Sequence, residues 1–503
     1  MRRIAIWMVL FMLVGARAWA TDWYFSTAAT GANNGSNWTN AFSTWPSASW
    51  FTNTAARGDT FWVGDTDGAA VQSPTDNADF VINMPLSGTL TFTIKKATAA
   101  AHGTETGWSS AYGDGQFTWN GYLELNNGYY VIDGVVGEDD GSVTPHGICL
   151  GLDGLTTLSS PRDNYNIGPI HFTGAGVDGN NYFAHLDIHG GGEGPGPVDD
   201  APKITCVTMG KGTLSSTMTY CYVHDFTSVA VSYGAYDSTI EHCWFAYRRG
   251  AWAPGTTSYI HGAAITWNDP DAAGAAMNSC IRYCTFFRIS GTGAIEVTTG
   301  EQTYCYIYGN VFWNDGTYRW TNFAVGQTNS GVVDYFYVYN NTFWVPTDYD
   351  PHVGGWLAYG GVDFKSATHC VAQNNLFVNF DSHILFTATM THDYNAFYAS
   401  TGTGSSESNG QTLGADPLTD PPDDCHLGTN TNSGLNLGTS YNEDADGYLR
   451  ETWSRGAFEY DGAVPPGPTP TPTPTPTPPP GGYSKHRPSV NWYRDRSRFA
   501  RGQ

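Results

Sequence analysis

The sequence predicts an all-β solenoid, a parallel β-helix, and three observations lead there. The first is composition: of 503 residues 60 are Gly, 15% are aromatic and only 14% are charged. That profile suits many short strands and tight turns, and it excludes a disordered chain, a coiled coil or a helical bundle. The second is an internal repeat, apolar–x–x–(Cys or Asn)–x–(Phe or Val). Its copies are Met218 to Val223, Ile240 to Phe245, Ile281 to Phe286, Ile307 to Phe312, Val338 to Phe343 and Ala372 to Phe377. Asp393 to Phe397 extends the series, and Phe183 to Ile188 is a degenerate earlier copy. The third is irregular spacing: the Cys/Asn positions are 22, 41, 26, 31, 34 and 20 residues apart. Constant kernels with variable insertions favour coils of a β-helix over the more regular blades of a propeller.

The elements follow in chain order. Residues 1–20 read as a secretory signal: Arg2 and Arg3, an apolar run from Ile4 to Val14, then Ala18-Trp19-Ala20 as a cleavage site. The run is shorter than the roughly 20 residues that span a bilayer. Residues 21–462 are expected to form one β-helix domain. Within it, 21–140 hold a short N-terminal cap and the first coils, 141–400 the repeated coils, and 401–462 a closing segment.

In the repeated coils the Phe positions should stack inside. The Cys/Asn positions should form a second ladder at an interior turn. Asn suits that turn because it tolerates left-handed backbone and its amide can bond the next rung. The step of 41 residues is read as two coils, with an unrecognised kernel near Ala263-Ala264-Ile265. Residues 463–482 carry a Thr-Pro alternation, expected to be a disordered, extended polyproline linker. Residues 483–503 form a basic tail with Trp492, Tyr493 and Phe499 among arginines, suited to contact an anionic surface.

Charge narrows the partners. The formal net charge is −23, and Arg2, Arg3, Arg17 and six basic residues of the tail leave the body more acidic still. Such a body disfavours nucleic acid, whose binding requires phosphate neutralisation. Polyanionic glycans would be repelled unless cations intervene. Nine cysteines are present without a zinc-ligand spacing. Ladder register would put Cys221 beside Cys243, and Cys280 one step from Cys305, so either disulfides or a stack of buried thiols is open.

Three patterns carry a family resemblance. Near the start lie Trp23-Tyr24-Phe25-Ser26, Asn33-Asn34-Gly35-Ser36, Ala41-Phe42 and Gly58-Asp59-Thr60-Phe61-Trp62-Val63. The Asn/Cys kernels occupy the middle. At the end lie Gly414-Ala415-Asp416-Pro417, Asp444-Ala445-Asp446-Gly447, Arg450 and Gly456-Ala457-Phe458-Glu459-Tyr460. Together they resemble exported right-handed parallel β-helix proteins of the pectate-lyase-like superfamily. The closing segment is similar to that of bacterial β-helix proteins with a C-terminal anchor.

The resemblance implies an extracellular polysaccharide partner, a secreted or cell-surface location and, for an enzyme, β-elimination of a uronate glycan with Ca²⁺. Gly361-Val362-Asp363-Phe364-Lys365-Ser366 looks like the acid–x–Lys–Ser strand of alginate and chondroitin lyases, which makes Lys365 the candidate base. Arg288 and Arg319 are candidate supporting cations, and Glu296 and Asp363 candidate Ca²⁺ ligands in one column. Two other readings compete. A hydrolase would need paired carboxylates among Asp225, Glu241, Asp269, Asp271, Glu296 and Asp363, and His224-Asp225 or His242 could act as acid–base groups. A non-catalytic glycan-binding adhesin or scaffold would use exposed aromatics, with Trp244, Trp267, Trp313 and Trp320 as candidate sugar platforms.

Overall fold

The structure is a computed structural model. It describes residues 20–66, 70–72, 79–136, 146–152, 168–172, 179–190, 205–209, 215–226, 228–233, 236–246, 262–267, 276–289, 291–298, 302–313, 323–327, 333–347, 360–364, 367–380, 390–400, 407–421 and 424–460.

Short strands stack into three long sheets whose pairings are all parallel. We call them sheet 1 (13 strands), sheet 2 (9 strands) and sheet 3 (12 strands). Each turn of the chain visits sheet 2, then sheet 1, then sheet 3. One coil runs through Gly293–Val297, Gln302–Tyr308 and Val311–Trp313 before Val325–Gln327 starts the next. The coil that spans the 41-residue step is single, because Ile240 pairs directly with Ile281 and Phe245 with Phe286. Ala263–Trp267 is its sheet 2 strand rather than a kernel, so the expected two-coil reading is corrected. Insertions, not an extra coil, lengthen that step.

Strand alternation sends every second side chain inward. Sheet 2 contributes Leu123, Ile170, Val207, Val231, Ile265, Ile295, Val325 and Val362 in one register. Sheet 3 contributes the expected Phe ladder: Phe286, Phe312, Phe343 and Phe377 stack at 4.7 to 4.8 Å, with planes 3° to 7° apart. Phe245 and Phe397 continue it at either end.

The turn from sheet 1 to sheet 3 is two residues long. Its first residue is left-handed: His185, Tyr220, His242, Tyr283, Asn340, Asn374 and Tyr394 have φ between 49° and 60°. The ladder residue is the second, so the left-handed strain falls one position before the Asn or Cys that the kernel highlights. Left-handed backbone costs a non-Gly residue about 1–2 kcal/mol. Among the residues that carry it, His185 stacks on Tyr220 at 5.4 Å and Tyr220 on His242 at 5.0 Å.

The ladder itself changes chemistry along the axis. Asn310 Nδ2 donates to Asn341 Oδ1, Asn341 to Asn375 and Asn375 to Asn395, each at 3.0 Å. Each of those carbonyls also accepts the backbone N–H of the preceding rung. The chain of amides ends on the buried Glu407 carboxylate, 2.7 Å from Asn395 Nδ2. Earlier rungs are Cys221, Cys243 and Cys284, free thiols that donate to backbone carbonyls. The buried-thiol alternative therefore describes this stack.

At the N-terminus Gly58, at φ 103°, starts the Gly-Asp-Thr turn. Asp59 accepts from Thr21 N, Trp23 Nε1 and Ala56 N, each at 2.9 Å, tying the first strand to the second. At the other end Gln411–Leu413 adds the last strand of sheet 3, and residues 414–421 and 424–460 fold back against the outer face of that sheet. Ala457 N donates to Thr342 Oγ1 at 2.9 Å, and Gly456 N to Asn374 O at 2.8 Å. Arg450, itself buried, gathers the carbonyls of Ser454, Gly456 and Ala457.

Candidate functional site

The outward column of sheet 2 is polar where the inward column is apolar. In one register it runs Glu124, His171, Thr208, Ser232, Thr266, Glu296, Gly326, Asp363. Strand pairing sets the rungs about 4.8 Å apart. The middle of the row is recessed: Thr208, Thr266 and Glu296 are 7%, 6% and 3% exposed. Glu124 and Asp363, at its ends, are half-buried. Glu124 takes a hydrogen bond from Asn126 Nδ2 at 2.8 Å and lies 3.7 Å from His171 Nε2. Among the described residues the buried hydroxyls of Thr208 and Thr266 have no hydrogen-bond partner.

The two acids expected to share a cation do stand in one column, Glu296 and Asp363, but two rungs apart. The rung between them is Gly326, and a Cβ there would lie 2.5 Å from the Phe323 ring. A buried phenyl group thus packs at the rung that separates the acids. Ca²⁺ takes six to eight oxygens, and these two carboxylates supply at most four. Among the described residues no group of three or more His, Cys, Asp or Glu is arranged to hold a metal ion.

Other candidate residues fall elsewhere. Arg288 lies at the corner from sheet 3 to sheet 2, with φ 50° and its guanidinium 4.7 Å from the centre of the Phe287 ring. Lys365, Arg319 and Trp320 lie outside the described residues, as do Asp269 and Asp271. The tryptophans correct the platform expectation. Trp267 is fully buried in the main core. Trp244 and Trp313 point outward from sheet 3, yet they are 5% and 3% exposed and belong to one apolar cluster with Leu418, Leu427, Ala457 and Phe458 of the closing segment. Stacking on a sugar needs a free ring face, and these three have none.

One cluster of titratable groups adds Asp187 to the His224-Asp225 pair that the sequence singles out. On sheet 3 His224 Nε2 meets Asp187 Oδ1 and His224 Nδ1 meets Asp225 Oδ2, both at 2.8 Å. His189 lies 5.5 Å away and Tyr222 stacks on His224 at 4.2 Å. Burial opposes the charged ring, but the two carboxylates outweigh it and raise the His224 pKa to about 9. Burial likewise opposes the Asp187 carboxylate, and the hydrogen bond and charge of His224 prevail and lower its pKa. Both ring nitrogens are engaged, so His224 is a charged strut between two coils rather than an acid–base group open to substrate. Asp187 was legible only by column position, because its kernel has Leu186 where others have Cys or Asn. His242 stacks between Tyr220 and Tyr283, and Glu241 pairs with Arg282 at 2.8 Å. Both are parts of the sheet 1 face.

No protein-family profile and no curated protein matches the chain. Solved structures do. The crystal structure of pectate lyase Pel9A aligns with a TM-score of 0.50 over 88% of this chain and 97% of that one, at 11% identity. The PL6 family polysaccharide lyase Pedsa3628 from Pseudopedobacter saltans gives 0.36 over 72% and 96%, at 11% identity. An alginate lyase from Paenibacillus sp. gives 0.34 over 74% and 97%, at 12% identity. The chain is a right-handed parallel β-helix with the fold of pectate lyase. At these identities the likeness is one of fold, and fold alone does not assign a reaction. Among the described residues no helix is long and apolar enough to cross a membrane.

Proposed function

We propose that this is an exported protein that recognises an extracellular polysaccharide laid along the outer column of sheet 2. One observation carries the proposal. Six consecutive coils, from Glu124 to Glu296, present a hydrogen-bonding side chain in register, beside an inward column that is wholly apolar. An extended polymer matches a row of repeated polar contacts better than a compact ligand does, since each rung can take one sugar hydroxyl. Export rests on the signal-like residues 1–20. The basic tail is proposed as a contact to an anionic surface.

The enzymatic form of the proposal is β-elimination with Lys365 as base. Asp363 supports it, standing at the half-buried end of the row two residues before Lys365. Without Lys365 the same face serves a glycan-binding adhesin or scaffold. A paired-carboxylate hydrolase finds less support, because Asp187 and Asp225 are both bound to His224.

The test uses the mature protein on gels containing different polysaccharides, with Ca²⁺ and with chelator, while ultraviolet absorbance reports unsaturated ends. Retention by at least one polymer, weakened in Glu296→Gln, is expected. Retention that is absent on every polymer would overturn the proposal. Absorbance that rises with wild type and not with Lys365→Ala would establish the lyase, and retention without any rise would establish the binder.

A further inference from the structure

We infer that Tyr304 and Tyr335, stacked on neighbouring coils of sheet 1, form an oxidative cross-linking site that one-electron oxidants join as dityrosine. The site lies on the outer face of sheet 1 and is independent of the glycan column on sheet 2. The strands Gln302–Tyr308 and Val333–Tyr339 pair in parallel, with Cys305 opposite Phe336 and Tyr306 opposite Tyr337. Alternation turns the fully buried Cys305 and Ile307 into the core, so Tyr304 and Tyr306 face outward. Tyr304 stacks on Tyr335 at 4.6 Å with planes 5° apart, and Tyr306 on Tyr337 at 5.0 Å and 14°. All four residues are half-buried. His369 holds the other face of Tyr335 at 4.6 Å and 11°, and Asp334 fixes His369 at 2.8 Å.

Both faces of Tyr335 are occupied, so it offers no platform to a sugar. What two parallel phenols can do is couple. Each phenol gives one electron and one proton to the oxidant. The two radicals then bond through a ring carbon ortho to each hydroxyl, and the hydrogen on each bonded carbon moves to oxygen, which restores both phenols. With hydrogen peroxide as the final oxidant, two tyrosines and one peroxide yield one dityrosine and two waters. Overlaid rings bring ortho carbons together. Edge-to-face rings do not, as in Tyr283 with Tyr308 at 85° and Tyr308 with Tyr441 at 84°. Tyr304 and Tyr335 are closer and more nearly parallel than Tyr306 and Tyr337, which assigns the bond to the first pair. Desolvation, Tyr304 and Asp334 raise the Tyr335 pKa, so this phenol keeps its proton at neutral pH and yields it with the electron. The cysteines are free, and all but Cys280 are buried, so thiols do not stand between the oxidant and the phenols. Export, as proposed above, takes the chain out of the reducing cytosol. The bond would close 335 − 304 = 31 residues of chain and constrain the unfolded state as a disulfide does.

The experiment treats the dilute mature chain with a haem peroxidase and hydrogen peroxide, while a blocked tyrosine amide in a parallel reaction verifies the oxidant. Dityrosine fluorescence in the monomer band of a denaturing gel is expected. Trypsin cuts at Arg319, between the two residues. The digest should therefore contain the peptides of Tyr304 and Tyr335 joined with the loss of two hydrogen atoms. The cross-linked monomer should melt at a higher temperature than the untreated chain. Tyr335→Phe retains a ring in the stack and should abolish the joined species, and Tyr306→Phe should leave it. Melting curves of the untreated variants verify that both fold. No dityrosine while the amide couples, dityrosine confined to dimers, or a joined species that survives Tyr335→Phe would each overturn the inference.

Discussion

The outer faces of sheets 2 and 3 are built by the same coils and end in opposite chemistry. Sheet 3 carries Trp244, Phe287, Trp313 and Trp344 outward, and Leu418, Cys425, Leu427, Ala457 and Phe458 of the chain's own closing segment pack into one cluster with them. Sheet 2 carries Thr208, Ser232, Thr266 and Glu296 outward, and the Thr208 and Thr266 hydroxyls have no partner among the described residues. An apolar outer face needs a permanent cover from the chain, because an exposed row of that size is an aggregation hazard. A polar outer face can afford to wait for a ligand. The comparison teaches that aromatic residues near the kernels mark the covered face, and that small polar residues mark the candidate site.

The largest expected effect comes from breaking the cover. Phe458 is buried in the outer cluster of sheet 3 and stacks on His426 at 4.0 Å. Phe458→Ala should cost about 3 kcal/mol or more, read by chemical denaturation, and should increase binding of a hydrophobic dye. Gly456→Val should act in the same direction. Its φ is 111° and a Cβ would lie 2.8 Å from Thr342 Oγ1. An unchanged midpoint in both variants would mean that the closing segment does not hold down the tryptophan row.

Next in size is the inner ladder. Asn341→Ala removes the acceptor of Asn310 N and Nδ2 and a donor to Asn375. Each buried group left without a partner costs about 1–3 kcal/mol, so loss of the whole rung should exceed that of Cys243→Ala. Equal destabilisation of the two variants would contradict the view that the amide rungs form a connected chain ending on Glu407.

A smaller effect is pH-dependent. His426 bridges Asp424 at 2.6 Å and Asp446 at 2.8 Å within the closing segment. Burial opposes its charge, but the two carboxylates prevail and raise its pKa from 6.5 to about 10. A raised folded pKa means that the stabilisation is complete below the unfolded value and is lost as pH rises towards the folded one. Melting temperature should therefore fall between about pH 6.5 and about pH 10. His426→Gln should flatten that fall, and His224→Gln should flatten it in the window that ends near the His224 value of about 9. The last effect is one on binding: Glu296→Gln should weaken glycan retention in the gels.

Much of the fold was legible in the sequence because a β-helix repeats one environment. Phe at a fixed offset from Asn or Cys marks an inward stack and an interior turn, and the register follows. The 41-residue step misled because insertion length and coil number are indistinguishable without the pairing of Ile240 with Ile281. Less of the site was legible. Glu296 and Asp363 were correctly placed in one column, yet the Phe323 ring that packs between them comes from the corner before Gly326 and leaves no periodic signal. The cover over Trp313 depends on contacts such as Ala457 with Thr342, 115 residues apart. Thr208 and Thr266 escaped notice because threonine on a strand is ordinary; what marks them is a buried, unpartnered hydroxyl, a feature that Thr219 on sheet 1 shares, together with their place in the outward column of sheet 2.

The most direct test of the difference between the two faces is amide hydrogen exchange on the mature chain, with and without an oligosaccharide of a polymer that the gels retain. New protection on the peptides that carry Thr208, Ser232, Thr266 and Glu296, with none on the strands of Trp313 and Trp344, is the expected result. Protection confined to the sheet 3 strands or to residues 407–460 would contradict it and would move the glycan to the covered face.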